Sequence, residues 1–134
     1  GFREMKKTIL VLLVGLFWCN VGFAETKEQT IINEHKSSLP ECEGGEADMV
    51  KDLSRWSQWD KCFGILKMEV ENEEIIFHVE FKNGEMHGKG FAEIGDTIMY
   101  GKFKNGNWRS PVYLIQPNGQ IQKGKINEKG EAVF

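Results

Sequence analysis

Between residues 77 and 126 one short pattern returns at a fixed distance, and it limits what the chain can fold into. Phe77-x-Val79-x-Phe81 runs into Lys82-Asn83-Gly84. Twenty-two residues later Met99-x-Gly101-x-Phe103 runs into Lys104-Asn105-Gly106, and 23 further on Gln122-x-Gly124-x-Ile126 stands in the same register. Apolar residues at every second position describe a half-buried strand. Asn-Gly accepts positive φ at both central positions of a tight turn and is the strongest short-range hairpin signal. It occurs at Asn83-Gly84, Asn105-Gly106 and Asn118-Gly119. A fixed period with turn glycines marks a repeat array, because one hairpin cannot bury its apolar face alone. The expectation is a mainly β chain: an open, single-layer antiparallel sheet of about three successive hairpin units over residues 62–134.

The other end of the chain carries a different signal. Met5-Lys6-Lys7 is followed by the apolar run Ile9 to Trp18, with small residues at Gly22 and Ala24. A positive start, a short apolar stretch and a small-residue cleavage site describe a secretory signal peptide over 1–24, cut after Ala24. Ten apolar residues are too few to span a bilayer comfortably, although an uncleaved anchor is the competing reading. Lipidation at Cys19 is rejected, because bulky Trp18 stands where that cleavage site wants a small residue. The predicted destination is export, to the periplasm first and the medium second.

Cleavage would change the charge and the cysteine count. Loss of Arg3, Lys6, Lys7 and Glu4 leaves 14 basic and 19 acidic side chains, a net charge of −5. For the whole chain, a pI near 5.7 and a net charge of −3 argue against nucleic acid as a partner, which normally calls for a basic face. Cys42 and Cys62 remain as a pair, and in an oxidising compartment the simplest outcome is a disulfide. A metal site would need further ligands, and His35 is the only imidazole nearby. Residues 25–38 are polar around Ile31 and Ile32, which predicts a weak helix or a flexible lead-in ending at Leu39-Pro40. Met49, Leu53 and Trp56 share one helical face, which predicts a short helix leading to Cys62. Residues 25–61 are thus expected to form a helical, disulfide-linked N-terminal cap. Trp56 and Trp59 are read as a cover over the disulfide, with a carbohydrate platform as the alternative.

Phe81-Lys82-Asn83-Gly84-Glu85-Met86-His87-Gly88-Lys89-Gly90 resembles the core of a MORN repeat, a family built on an aromatic-x-Gly-x-Phe strand, a turn ending in Gly, and His-Gly-x-Gly. The resemblance covers about 62–134 and is fullest in the first unit. Upstream, Leu39-Pro40-Glu41-Cys42 and Trp59-Asp60-Lys61-Cys62 are similar to the segments that precede the first repeat in small exported bacterial members. Several positions depart from the pattern: Val79 stands where the family has Gly, Met99 and Gln122 where it has Tyr, and Arg109-Ser110-Pro111-Val112 replaces a second His-Gly-x-Gly. The resemblance implies structural roles for Phe81, Gly84, His87, Gly88, Gly90, Gly101, Phe103, Gly106 and Gly124, with His87 as a turn residue bonded to the neighbouring hairpin. It also implies a scaffold that binds protein partners, with phospholipid as a second possibility.

No catalytic constellation is visible. The serines lack the Gly-x-Ser-x-Gly elbow, no His-Glu-x-x-His occurs, and His35, His78 and His87 are scattered. Neither a cofactor nor a metal is expected, and the chain is read as a non-enzyme. The first functional reading is an interaction module that binds a protein partner in the cell envelope, with Phe77, Met99, Tyr100 and Trp108 as candidate contacts. The second is an envelope binder of phospholipid or acidic glycan. It would use a lysine-rich repeat half that includes Lys82, Lys89, Lys102, Lys104, Arg109, Lys123, Lys125 and Lys129. Solvated strand faces and charged sheet edges are the plain alternative for those cations.

Overall fold

A computed structural model describes residues 26–134; the expected signal peptide and its cleavage site lie outside these residues. Helix α1 (Lys27–Glu34) opens the described chain, with the Thr26 hydroxyl accepting from the Gln29 N–H at 3.0 Å. That bond satisfies one of the free donors of the first turn. Ile31 is buried, so this segment is docked rather than a loose lead-in. Then come β1 (Glu41–Asp48), the single-turn α2 (Leu53–Trp56), β2 (Cys62–Val70), β3 (Glu73–Lys82), β4 (Glu85–Ile94), β5 (Thr97–Lys104), β6 (Asn107–Ile115), β7 (Ile121–Ile126) and the two-residue β8 (Ala132–Val133).

The eight strands form one open sheet in sequence order, antiparallel from β2 to β8. The expected hairpin ladder is therefore present. Its first pair is an exception, because β1 lies parallel to β2. Residues 41–48, Glu-Cys-Glu-Gly-Gly-Glu-Ala-Asp, have almost no strand-forming side chains. What holds them is tertiary. The Cys42–Cys62 disulfide ties β1 to β2 across 20 positions of sequence, and closing a loop of that length is worth about 3 kcal/mol on the chain-entropy account. Trp59 Nε1 donates to the Glu43 carbonyl at 2.9 Å, and an Arg55 guanidinium N–H donates to the Glu46 carbonyl at 2.7 Å. Ala47 supplies the buried side chain in the second half of the strand.

The turns follow the Asn-Gly signal at two of its three positions. Asn83-Gly84 and Asn105-Gly106 have φ of +52° and +77°, and +51° and +84°, the conformation of a two-residue type I′ hairpin. At the third, only Gly119 has positive φ, and a wider turn closes with the Gln116 N–H donating to the Gln120 carbonyl at 2.9 Å. Glu71-Asn72 makes the β2–β3 turn with φ of +50° and +66°, a hairpin the sequence pattern did not mark.

The sheet is not a bare single layer. On one face Val79, Phe81, Leu66, Ala92 and Phe103 form the main core with the disulfide and Trp59. Trp59 meets Phe81 edge-to-face, with centroids 5.0 Å apart. It lies over Gly64, where a Cβ would stand 2.6 Å from its ring, beside Cys42 Sγ. The cover therefore belongs to Trp59; Trp56 is half-buried at its edge, donating its indole N–H to the Met49 carbonyl, and Leu53 is exposed. The same device recurs down the ladder, with Trp108 over Gly101 and Phe134 over Gly124. Val79, the departure from Gly, puts its own side chain into the core instead, fully buried. On the opposite face α1 covers a second, smaller cluster of Ile31, Tyr100 and Ile115.

Candidate anion-binding face

Strand alternation and register decide which side chains share the helix-bearing face. His78 stands opposite Phe91, Phe91 opposite Tyr100, and Tyr100 opposite Tyr113. Since alternate residues share a face, the next row toward the Asn-Gly turns is Lys89, Lys102 and Arg109. Lys89 pairs with Lys102, and Lys102 with Arg109. Directly opposed residues have Cβ atoms about 5 Å apart, so three cations are lined up across three strands. Lys102 and Arg109 are exposed and Lys89 is half-exposed. Among the described residues Lys67 forms an ion pair with Glu46 and His78 contacts Glu93, and none of the three cations takes part in either. Lys104, one position beyond the inward-facing Phe103, extends this side, and Lys123 joins it through its pairing with Tyr113, whereas Lys82 stands opposite Glu85.

Two carboxylates of this face are already engaged. Glu80 accepts from the Lys89 backbone N–H at 2.8 Å and from the Ser37 hydroxyl at 2.7 Å. Glu93 is held against His78 Nε2 at 2.5 Å, and the His78 ring stacks on Phe91 with centroids 4.4 Å apart. An opposed row of like charges costs stability where it stands. Charge-assisted hydrogen bonds to an anion would offset that cost. Arg109 adds a planar fork that grips a carboxylate or phosphate through two bonds.

The apolar contact residues expected from the sequence require correction. Phe77, Met99 and Tyr100 are each only 7% exposed. Phe77 and Met99 point into the main core side, and Tyr100 lies under α1, so none of them forms an outer contact surface. Burial raises the Tyr100 phenol above its usual range, and the carboxylates of Glu28 and Glu93 push it further the same way. Trp108 is half-buried against Phe103, centroids 4.1 Å apart, with Phe77 at 6.3 Å. Alternation did mark a two-sided strand at each position. It could not show that α1 would cover one side and the 49–59 segment the other.

The repeat residues occupy distinct places. Phe81 and Phe103 are core, and Gly84 sits under the cap, its N–H donating to the Trp59 carbonyl at 2.8 Å. Gly106 repeats that bond one hairpin later, to the Met86 carbonyl at 2.9 Å. His87 Nδ1 accepts from the Asn105 N–H at 3.4 Å, linking β4 to the next turn. Gly88 forms an irregular step in β4 with φ of +122°, and a Cβ there would strike the Glu80 carboxylate. Gly90 faces Val79. His35 and Ser37, which the sequence offers only as a scattered imidazole and a serine without an elbow, take structural roles. His35 is buried and donates from Nδ1 to the Ile31 carbonyl at 2.7 Å, between Tyr100 and Tyr113.

Among the described residues no group of three or more His, Cys, Asp and Glu side chains is placed to hold a metal ion. A cavity of about 520 Å³ lies at the disulfide, but Glu41, Glu43 and Asp60 face Arg55 and Lys61 in its wall, so it favours neither sign of charge. Comparison with protein-family models, with curated proteins and with solved structures finds no match.

Proposed function

We propose that the chain is an exported, non-catalytic binding module that engages an acidic segment of a protein partner in the cell envelope. The observation that carries this reading is the unpaired row Lys89–Lys102–Arg109, aligned across three adjacent strands. Burial of Phe77, Met99 and Tyr100 moves the contact surface from aromatic to cationic residues. Export rests on the signal-like segment 1–24, and the Cys42–Cys62 bond is compatible with a periplasmic or extracellular setting. The MORN-like reading of the hairpins, with its expectation of a scaffold, supports a binding role for the sheet.

A second reading, phospholipid or acidic glycan as the anion, is favoured by the continuation of positive charge to Lys104 and Lys123 on the same side. The net charge of −5 expected after cleavage at Ala24 opposes long-range attraction to an anionic bilayer, which places it second. Titration of the mature protein with a glutamate-rich peptide, phosphatidylglycerol vesicles and a uronate oligosaccharide separates the two. The expected result is saturable peptide binding that weakens between 50 and 200 mM salt, on the order expected for screened charges, and that disappears in Lys102→Glu. Peptide binding equal in wild type and Lys102→Glu would overturn the reading; uptake by vesicles or glycan alone would replace it with the second.

A further inference from the structure

The segment between α1 and β1 crosses the helix-bearing face as a strap. Ser37 pins it to β3 through the Glu80 carboxylate, and the Leu39 N–H folds back on the Ser37 hydroxyl at 3.0 Å. Beneath the strap lie two cavities. One, of about 330 Å³, has a mostly apolar wall that includes Ile32, Leu39, Phe63, Phe91 and Tyr100, with Lys36 at its rim. The other, of about 300 Å³, lies on the far side of Leu39 and includes Phe63 and Ile65. Leu39 and Phe63 belong to both, so Leu39 stands as a partition between two halves of one trough. Its side chain is 38% exposed, and its removal from the trough would open no part of the main core. Each cavity is at the lower end of the range occupied by small-molecule ligands, which are typically held by apolar walls with a few polar groups fixing their orientation.

We infer that this trough holds the tail of a single-chain amphiphilic anion, with its head group on Lys36 and its tail passing beneath Leu39 over Phe63 toward Ile65. Charge decides the direction. Lys36 is exposed and lines the near cavity, where the Glu80 carboxylate is already engaged by the Ser37 hydroxyl and the Lys89 N–H; the far cavity is walled by Glu41 with no cation in its lining, which repels an anionic head. The trough is separate from the acidic-segment site, whose central residue is Lys102.

Dodecanoate tests the site, with dodecanol as the tail without the charge, both titrated calorimetrically into the mature protein below micelle-forming concentrations. Saturable dodecanoate binding at one site is expected, with dodecanol weaker by about tenfold. Leu39→Trp fills the partition and abolishes uptake of both. Lys36→Glu weakens dodecanoate by about tenfold and leaves dodecanol unchanged. Both side chains are solvent-exposed, and a cooperative urea unfolding transition with a midpoint near that of the unsubstituted protein shows that each variant is folded. Lys102→Glu, which removes the acidic-segment site, leaves dodecanoate binding intact, so the two sites fail independently. No saturation by dodecanoate, or equal binding to folded Leu39→Trp, overturns the inference.

Discussion

The two faces of the sheet are built by opposite means. The first is sealed by large side chains drawn from distant sequence: Trp59 seats on Gly64, meets Phe81 and touches the disulfide, and Phe103 and Ala92 continue the layer. The second is divided. Helix α1 covers Tyr100 and Ile115 through Ile31, the 36–40 strap spans a shallow apolar trough, and beyond them three cations stand unpaired. Stability is concentrated on one side of a single layer, which leaves the other free to carry costly features. Trp59→Ala should expose that asymmetry most strongly. Truncating a buried Trp costs roughly 3–5 kcal/mol, and here the Glu43 carbonyl also loses its donor. Urea unfolding of the variant should show that loss as a lower midpoint at unchanged slope. A loss below about 1 kcal/mol would mean that the cap is peripheral.

The helix side should respond less and more locally. Ile31 is the buried side chain of α1, and an Ile→Ala change at a small cluster falls near the low end of the range, about 2 kcal/mol. Amide exchange should then accelerate across residues 27–34 while β2, β3 and β4 keep their protection, because the main core does not include the helix. Equal acceleration in both regions would show that the two faces unfold as one unit.

How far the sequence foretold this division depends on the range of the interactions. The hairpins at Asn83-Gly84 and Asn105-Gly106 were legible because turn chemistry and alternation are local, and the disulfide because only two cysteines remained after the signal-like segment. Strand β1 was not, since Glu-Cys-Glu-Gly-Gly-Glu-Ala-Asp is placed by a covalent bond and by donors from Trp59 and Arg55 rather than by propensity. The burial of Tyr100 and Met99 was missed for the same reason. Period two says that a strand has two sides and does not say what lies on each. The lysines were legible as a cluster, yet their alignment into Lys89–Lys102–Arg109 depends on cross-strand register and on the irregular steps beside Gly88 and Gly101.

That row provides the smallest effect and the sharpest test of the contrast, because its sign is unusual. Most substitutions destabilise. Lys102 faces a cation on each side, and replacing one member of an opposed like-charge pair by the opposite charge changes a cross-strand penalty into an attraction. Each such pair is worth roughly 0.2–1 kcal/mol, so Lys102→Glu should raise the unfolding free energy by an amount in that range at low salt. The gain should shrink as salt is added, since both pairs are solvent-facing. The same variant is expected to lose the acidic peptide. A residue whose replacement strengthens the fold while removing binding is held in place by its ligand, as expected where stability and function compete. If Lys102→Glu instead lowers the midpoint at low salt, the three cations are not repelling one another. They would then be an ordinary solvated strand surface, and the helix-bearing face would have no cost left for a bound anion to relieve.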